Sequence, residues 1–222
     1  MVESWLIPLQ PLLVPAFTAW GSPVTWLEIV AFVLALVMVG CNMRVNPLAW
    51  PLAIVSSALY AALFLDSRLY GEAGLQLVFI TVAFWGWWQW LRGTTDSGAP
   101  LRVRWLEPRK RWALLATMAV AWPALALLLA TYTDSDVPWF DAFPTAGSLL
   151  GQWLLGRKYV ENWLAWLIVN IVSVALFVHK GLWLTVLLYA LFVVLSVLGW
   201  LAWRRLANNQ PTAAIAAEQR LA

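Results

Sequence analysis

Long apolar stretches alternate with short polar connections along nearly the whole chain. Crossing about 30 Å of hydrocarbon at about 1.5 Å per residue takes about 20 mostly apolar residues in a helix. Seven stretches approach that length with no charge at their centre: Val24 to Cys41, Leu48 to Leu65, Gly71 to Leu91, Trp112 to Tyr132, Trp139 to Leu155, Asn162 to Phe177 and Leu182 to Trp203. The second, fifth and sixth are short or interrupted. The pattern predicts an all-α integral membrane protein with seven transmembrane helices.

Composition supports the same reading. The 222 residues are 63% hydrophobic and 11% charged, with 18 tryptophans, more apolar surface than one water-soluble core of this length can hide. One cysteine, Cys41, and one histidine, His179, leave no disulfide pair and no metal-ligand cluster, so neither a metal nor another cofactor is expected. The first 23 residues carry Glu3, four prolines and no Lys or Arg, unlike the basic start of a cleavable signal, and are expected to lie at the interface. The tail from 206 to 222 reads as polar and mobile.

Charge sets an expected orientation. With the N-terminus outside, twelve of the fourteen basic residues fall in inner loops or the tail, and Arg68 and Lys180 alone fall outside. The net charge of +3 is explained by this bias, which leaves little reason to expect nucleic-acid binding.

Two strings recur in order. Asn46-Pro-Leu-Ala-Trp50 opens the second stretch and Asn162-Trp-Leu-Ala-Trp166 the sixth, 116 positions later; Gly86-Trp-Trp-Gln-Trp90 closes the third and Gly199-Trp-Leu-Ala-Trp203 the seventh, at an offset of 113. Such matches suggest a duplicated unit of three helices. Three is odd, so a fourth helix must restore sidedness before the second unit inserts in parallel. This gives a 3 + 1 + 3 plan: an N-terminal segment (1–23), a first repeat (24–91), a loop and linker helix (92–132), a second repeat (133–205) and a tail (206–222). Ligands of transporters built from repeats sit near the midplane, where the repeats meet.

Candidate chemistry concentrates on the sixth stretch. Trp163, Trp166, Asn170 and Ser173 share one helical face. Asn170 lies about 13.5 Å below Glu161, near mid-membrane, where an unpaired amide costs several kcal/mol. Position alone is equally compatible with a helix-to-helix hydrogen bond and with ligand contact. Two indoles beside the amide favour a flat heterocycle, with stacking for the ring and hydrogen bonds for its substituents. Trp85 and Gln89 stand one turn apart in the third stretch, where belt and headgroup roles compete with a cavity role; Gln76, Gln152, Tyr60 and Tyr189 are further candidates.

No Asp, Glu, Lys, Arg or His occupies the middle of any stretch, whereas proton and ion relays generally use such groups. Downhill, uncoupled movement of a solute is therefore expected. An intramembrane enzyme would need a nucleophile and base, and His179 is the one imidazole available, at an expected outer edge. A binding subunit served by a separate energising partner is the third reading; a duplicated plan able to rock on its own argues against it.

The string Trp85-Gly-Trp-Trp-Gln-Trp90, followed later by Lys158-Tyr-Val-Glu-Asn-Trp163-Leu-Ala-Trp166-Leu-Ile-Val-Asn170, resembles the PnuC family of vitamin transporters over about residues 24 to 205. The resemblance implies a SWEET-like seven-helix bundle in a bacterial inner membrane, assembled as a homotrimer. It implies energy-independent facilitated diffusion of nicotinamide riboside into the cytoplasm, where a kinase traps it by phosphorylation. It also implies that Trp163, Trp166 and Asn170 line the substrate site, with Glu161, Gln89 and Asn46 as neighbours. Thiamine-transporting relatives share the same strings, so thiamine is the alternative substrate.

Overall fold

The computed structural model describes residues 7–19, 21–66, 70–95, 97–133, 137–179 and 183–209. The beginning of the expected interfacial segment, most of the tail, and the two outer basic residues Arg68 and Lys180 lie outside the described residues. A 3₁₀ turn (Ile7–Leu12) leads into an antiparallel hairpin of β1 (Pro15–Ala19) and β2 (Ser22–Thr25). Seven helices follow: α1 (Trp26–Met43), α2 (Ala49–Asp66), α3 (Tyr70–Arg92), α4 (Pro108–Tyr132), α5 (Pro138–Gly156), α6 (Asn162–His179) and α7 (Trp183–Asn208). Each covers one of the apolar stretches.

Local signals set the helix ends. Thr25 caps α1 through a capping box: its hydroxyl accepts from the Glu28 N–H at 3.2 Å, and Glu28 Oε2 accepts from the Thr25 N–H at 2.7 Å. At the other end Arg44 (φ −88°, ψ 6°) precedes Val45 at φ 53°, and α5 ends the same way, with Arg157 (φ −88°, ψ 4°) before Lys158 at φ 58°. The N–H of Asn46 reaches the carbonyl of Cys41, and that of Tyr159 the carbonyl of Leu154, which closes a Schellman motif at both ends. Non-glycine residues pay a steric cost at positive φ, so two such turns 113 residues apart mark a shared backbone design rather than local accident.

By composition and length α1, α4, α6 and the Thr185–Asn208 part of α7 can each cross a bilayer. The apolar part of α2 is shorter, Ala49–Ala62. Helices α3 and α5 carry more polar residues, among them Gln76, Gln89, Asp141, Ser148 and Gln152, and they spend these on the interior. One face of α5 is nearly free of bulk: Ala142, Ala146, Gly147, Gly151 and Gly156 are all buried, which lets its neighbours approach closely.

The main contacts close a ring. Helix α1 packs on α2, α2 on α3, α3 on α5, α5 on α6, α6 on α7, and α7 returns to α1, while α4 packs outside the ring against α5. Two matching hydrogen bonds tie its halves: Trp90 Nε1 donates to the Leu155 carbonyl and Trp203 Nε1 to the Asn42 carbonyl, both at 3.0 Å. Donors and acceptors again differ by 113 positions. The largest buried cluster, with Trp50, Trp90, Leu155, Val160, Trp163 and Trp203, lies where the connections carry Arg44, Arg92, Arg157 and Lys158, here termed the basic end. The opposite, hairpin end holds the first turns of α1 and α5.

Candidate functional site

Two cavities lie along the bundle, one within the ring and one that also reaches α4 outside it and the hairpin. The one toward the basic end is narrow, about 130 Å³, and takes its walls from α1, α2, α5, α6 and α7. The one toward the hairpin end is wide, about 1220 Å³. Ser148, Tyr189 and Phe192 border both, so the narrow cavity is the far end of a path that begins broad.

The narrow cavity is built by seating indoles against glycines. A methyl at Gly199 of α7 would lie 2.5 Å from ring atoms of Trp163, and one at Gly86 of α3 would lie 2.5 Å from Trp50 Cζ2, so in each case the missing side chain makes room for the indole of the preceding helix. Trp166 leans on Gly151, where an added methyl would stand 3.1 Å away. Behind these rings the passage is filled. Trp50 meets Trp90 edge to face at 5.5 Å between centroids, Trp163 meets Trp203 at 5.8 Å, and Trp90 and Trp203 lie 6.1 Å apart, a plug of four indoles across the basic end.

Five buried polar atoms of the cavity wall have no protein partner: Asn42 Oδ1, Gln152 Oε1, Asn162 Oδ1, Trp50 Nε1 and Trp163 Nε1. Three are acceptors and two are donors. The Asn162 amide is oriented by its Nδ2, which donates to the Tyr159 carbonyl at 2.6 Å and leaves its oxygen unsatisfied at a fully buried position. An orphaned buried polar group costs about 1–3 kcal/mol, and an arrangement of several around one hollow is relieved by a guest with complementary donors and acceptors.

The structure brings five sequence candidates to this cavity: Trp163, Trp166, Asn170, Gln152 and Tyr189. Asn170 also joins helices, for its Nδ2 donates to Ser196 Oγ of α7 at 3.1 Å. Tyr60 and Gln76 line the wide cavity instead, with Tyr189 shared.

Four expected neighbours stand elsewhere. Glu161 accepts from the Leu106 N–H at 3.0 Å and from Arg111 Nη2 at 2.9 Å, fastening the α3–α4 connection to the start of α6. Gln89 is buried but accepts from Arg157 Nη1 at 3.0 Å. Trp85 packs on Gly156 of α5. Asn46 is exposed, and its Oδ1 accepts from the Leu48 N–H at 3.0 Å to start α2. In each case a nearer partner or the helix rotation takes the side chain away from the hollow. Lys158, over the Trp90 ring at 5.2 Å and donating to the Leu101 carbonyl at 3.1 Å, belongs to the same lining of the basic end; burial pushes its ammonium down from the usual lysine range.

Sequence reasoning missed Asn42, Trp50 and Asn162. The repeated string contained the signal: the resemblance implied Asn46, whereas the matching asparagine of the string 116 positions on, Asn162, lines the cavity. It also missed the pairing inside the wide cavity, where residues 113 apart share the wall: Glu28 with Asp141, Ala35 with Ser148, Gln76 with Tyr189, and Phe79 with Phe192.

An apolar helical bundle enclosing a graded path, with unmet hydrogen-bonding groups at its narrow end, defines a multi-pass membrane transporter of small molecules. The family model described as nicotinamide mononucleotide transporter matches residues 25–205, and the chain belongs to this family, that of PnuC. The riboflavin/roseoflavin transporter RibM of Streptomyces davaonensis is 32% identical over 191 residues, covering 85% of this chain and 89% of the relative. The nicotinamide riboside transporter PnuC of Escherichia coli is 25% identical over 221 residues, covering 89% and 92%, and that of Neisseria mucosa is 28% identical over 204 residues, covering 85% and 75%. A crystal structure of the vitamin B3 transporter PnuC superposes with a TM-score of 0.69 at 24% identity, covering 84% of this chain and 83% of that one, a likeness of fold. The chain is thus a vitamin transporter of this family, a multi-pass protein of the inner membrane.

Proposed function

We propose that the substrate is nicotinamide riboside and that it passes by facilitated diffusion from the periplasm to the cytoplasm, where a kinase traps it as the phosphate. The narrow cavity carries this reading. A carboxamide offers one donor group and one acceptor, ribose hydroxyls offer both, and the cavity presents three unmet acceptors and two unmet donors beside the face of Trp166. The pyridinium charge adds attraction to an indole face of about 0.5–2 kcal/mol.

Two parallel three-helix repeats joined by α4 are the architecture proposed, α1–α3 pairing with α5–α7 about a two-fold axis through both cavities. Support comes from the matching helix ends, the matching indole–carbonyl bonds and the paired wall residues, all at one spacing. The basic end is placed in the cytoplasm by the charge bias, which puts the wide cavity outside and the indole plug inside. The path then stands open outward and closed inward, and rocking of one repeat on the other provides alternation. Assembly as a homotrimer, carried over from the family resemblance, belongs to the same proposal.

Labelled nicotinamide riboside should equilibrate across proteoliposomes holding the purified protein with no imposed gradient. Accumulation that requires a proton or sodium gradient overturns the uncoupled mechanism. A second reading has its own support: the relative at 32% identity is a riboflavin transporter. Riboflavin carries three fused rings, and the narrow cavity suits a single ring better. Competition for bound nicotinamide riboside by riboflavin and by thiamine decides among the three, and the strongest competitor is the substrate.

A further inference from the structure

We infer that Ala53 of α2 is the residue that admits the flat ring of the ligand, by leaving vacant in the first half of the bundle the place that the Trp166 indole fills in the second. The inference rests on the substrate reading above, and on the repeat proposed with it, and adds a second face to the ring site. Along α2 and α6 the positions at the 113 spacing are Ala49 with Asn162, Trp50 with Trp163, and Ala53 with Trp166, and all six line the narrow cavity. At the plug the halves match, for Trp50 seats on Gly86 of α3 and Trp163 on Gly199 of α7. One turn further from the basic end the match stops, with a methyl on one side and an indole on the other.

Close helix packing accounts for Ala83 of α3, which belongs to the same buried cluster, is 1% exposed and lines neither cavity. It does not account for Ala53, which is 9% exposed and has the hollow beside it. An independent feature of the same wall points to a guest: Asn162, 0% exposed, leaves its Oδ1 without a protein partner, and Trp163, 3% exposed, its Nε1. A ring stacked between two surfaces needs about 3.5–4.0 Å to each, and an indole at position 53 would take that room. With alanine there, Trp166 supplies one face and the Ala53 methyl closes the other. The unmet polar atoms of Asn162 and Trp163 then serve the ring's substituents.

Ala53→Phe tests the vacancy. Its phenyl enters space that is already empty, so melting of the ligand-free protein should stay at or above wild type while nicotinamide riboside affinity falls by about a hundredfold. Ala83→Val is the control for overpacking in the same cluster: melting should drop and riboside affinity stay near wild type. Ala53→Val is the milder change and decides the matter if Ala53→Phe does not fold. It should weaken nicotinamide riboside and the ribose-free N-methylnicotinamide by the same factor, about tenfold, because both bring the same ring. Full riboside affinity in either Ala53 variant overturns the inference, and so does a loss confined to the riboside, which would put Ala53 against the sugar. If wild type does not bind nicotinamide riboside, the substrate reading fails by itself. Ala53 is then judged with riboflavin and thiamine: whichever binds should lose about tenfold in Ala53→Val, and unchanged binding of it, or binding of neither by wild type, overturns the inference.

Discussion

Adding one methyl group at Gly199 tests how the narrow cavity is held. Carbon atoms in ordinary contact sit about 3.5–4.0 Å apart. A Cβ at Gly199 would stand 2.5 Å from Cδ2 and Cζ3 of Trp163, so the indole must retreat by about 1 Å. Trp163 is 3% exposed and meets Trp203 at 5.8 Å, so it can retreat only into the cavity it lines, at the expense of ligand space. Overpacking of this kind costs about 1–3 kcal/mol, and with several ring atoms in collision the upper part of that range applies. Alanine recovers up to about 1 kcal/mol as the better helix former, leaving a net loss of about 1–2 kcal/mol. Gly151 is the control. There the nearest ring atoms of Trp166 lie 3.1–3.4 Å from the added carbon, Trp166 is half-buried with the cavity beside it, and the small collision is offset by the helix term. Gly199→Ala should therefore lower the apparent unfolding temperature in detergent by several degrees, at about 2–4 °C per kcal/mol, and weaken riboside binding by at least tenfold, whereas Gly151→Ala should leave stability near wild type. Fluorescence-monitored melting with and without ligand reads both effects. A Gly199→Ala protein with wild-type melting and affinity would show that the indole is not wedged between α6 and α7, and the account of the cavity would fall with it.

Other outcomes follow from the same geometry. Asn42→Ala removes a side-chain oxygen that bonds nothing in the protein, so riboside affinity should drop by about tenfold, as expected for one hydrogen bond, with melting unchanged; a melting loss without an affinity loss refutes its place in the site. Trp166→Ala should raise the riboside Kd by about 3- to 30-fold through loss of the ring face, a range that binding titration resolves, and an unaltered Kd excludes stacking there. Glu161→Ala should act on stability, losing about 1–3 kcal/mol because the buried Leu106 N–H loses its acceptor and Arg111 its partner; if melting is unaffected while affinity collapses, Glu161 belongs to the site after all.

The chain order of the helices was legible because each stretch meets lipid with its own side chains. Apolar length is a local property, and it located all seven helices to within a few residues. The indoles and amide of α6 were legible for a similar reason: helical spacing alone puts Trp163, Trp166 and Asn170 on one face, whatever that face meets. Two strings matched because both sides of the narrow end use the same glycine–tryptophan packing, Trp50 on Gly86 and Trp163 on Gly199.

What surrounds that face was decided only by tertiary structure. Whether Glu161 and Gln89 serve a ligand depends on which arginine the loops bring near them, and Arg111 and Arg157 claim both at 2.9–3.0 Å. Asn46 and Asn162 open the same string, yet one is exposed and the other buried at the cavity: the connections 44–48 and 157–161 are equal in length, so at the 113 spacing Asn162 takes the place of Ala49 as the first residue of α6, while Asn46 takes the place of Tyr159 in the connection. Glu28 and Asp141 read from the chain as two acids at helix starts. That they face one hollow follows from closing six helices into a ring, which is a contact between distant parts of the chain and leaves no periodic mark on either.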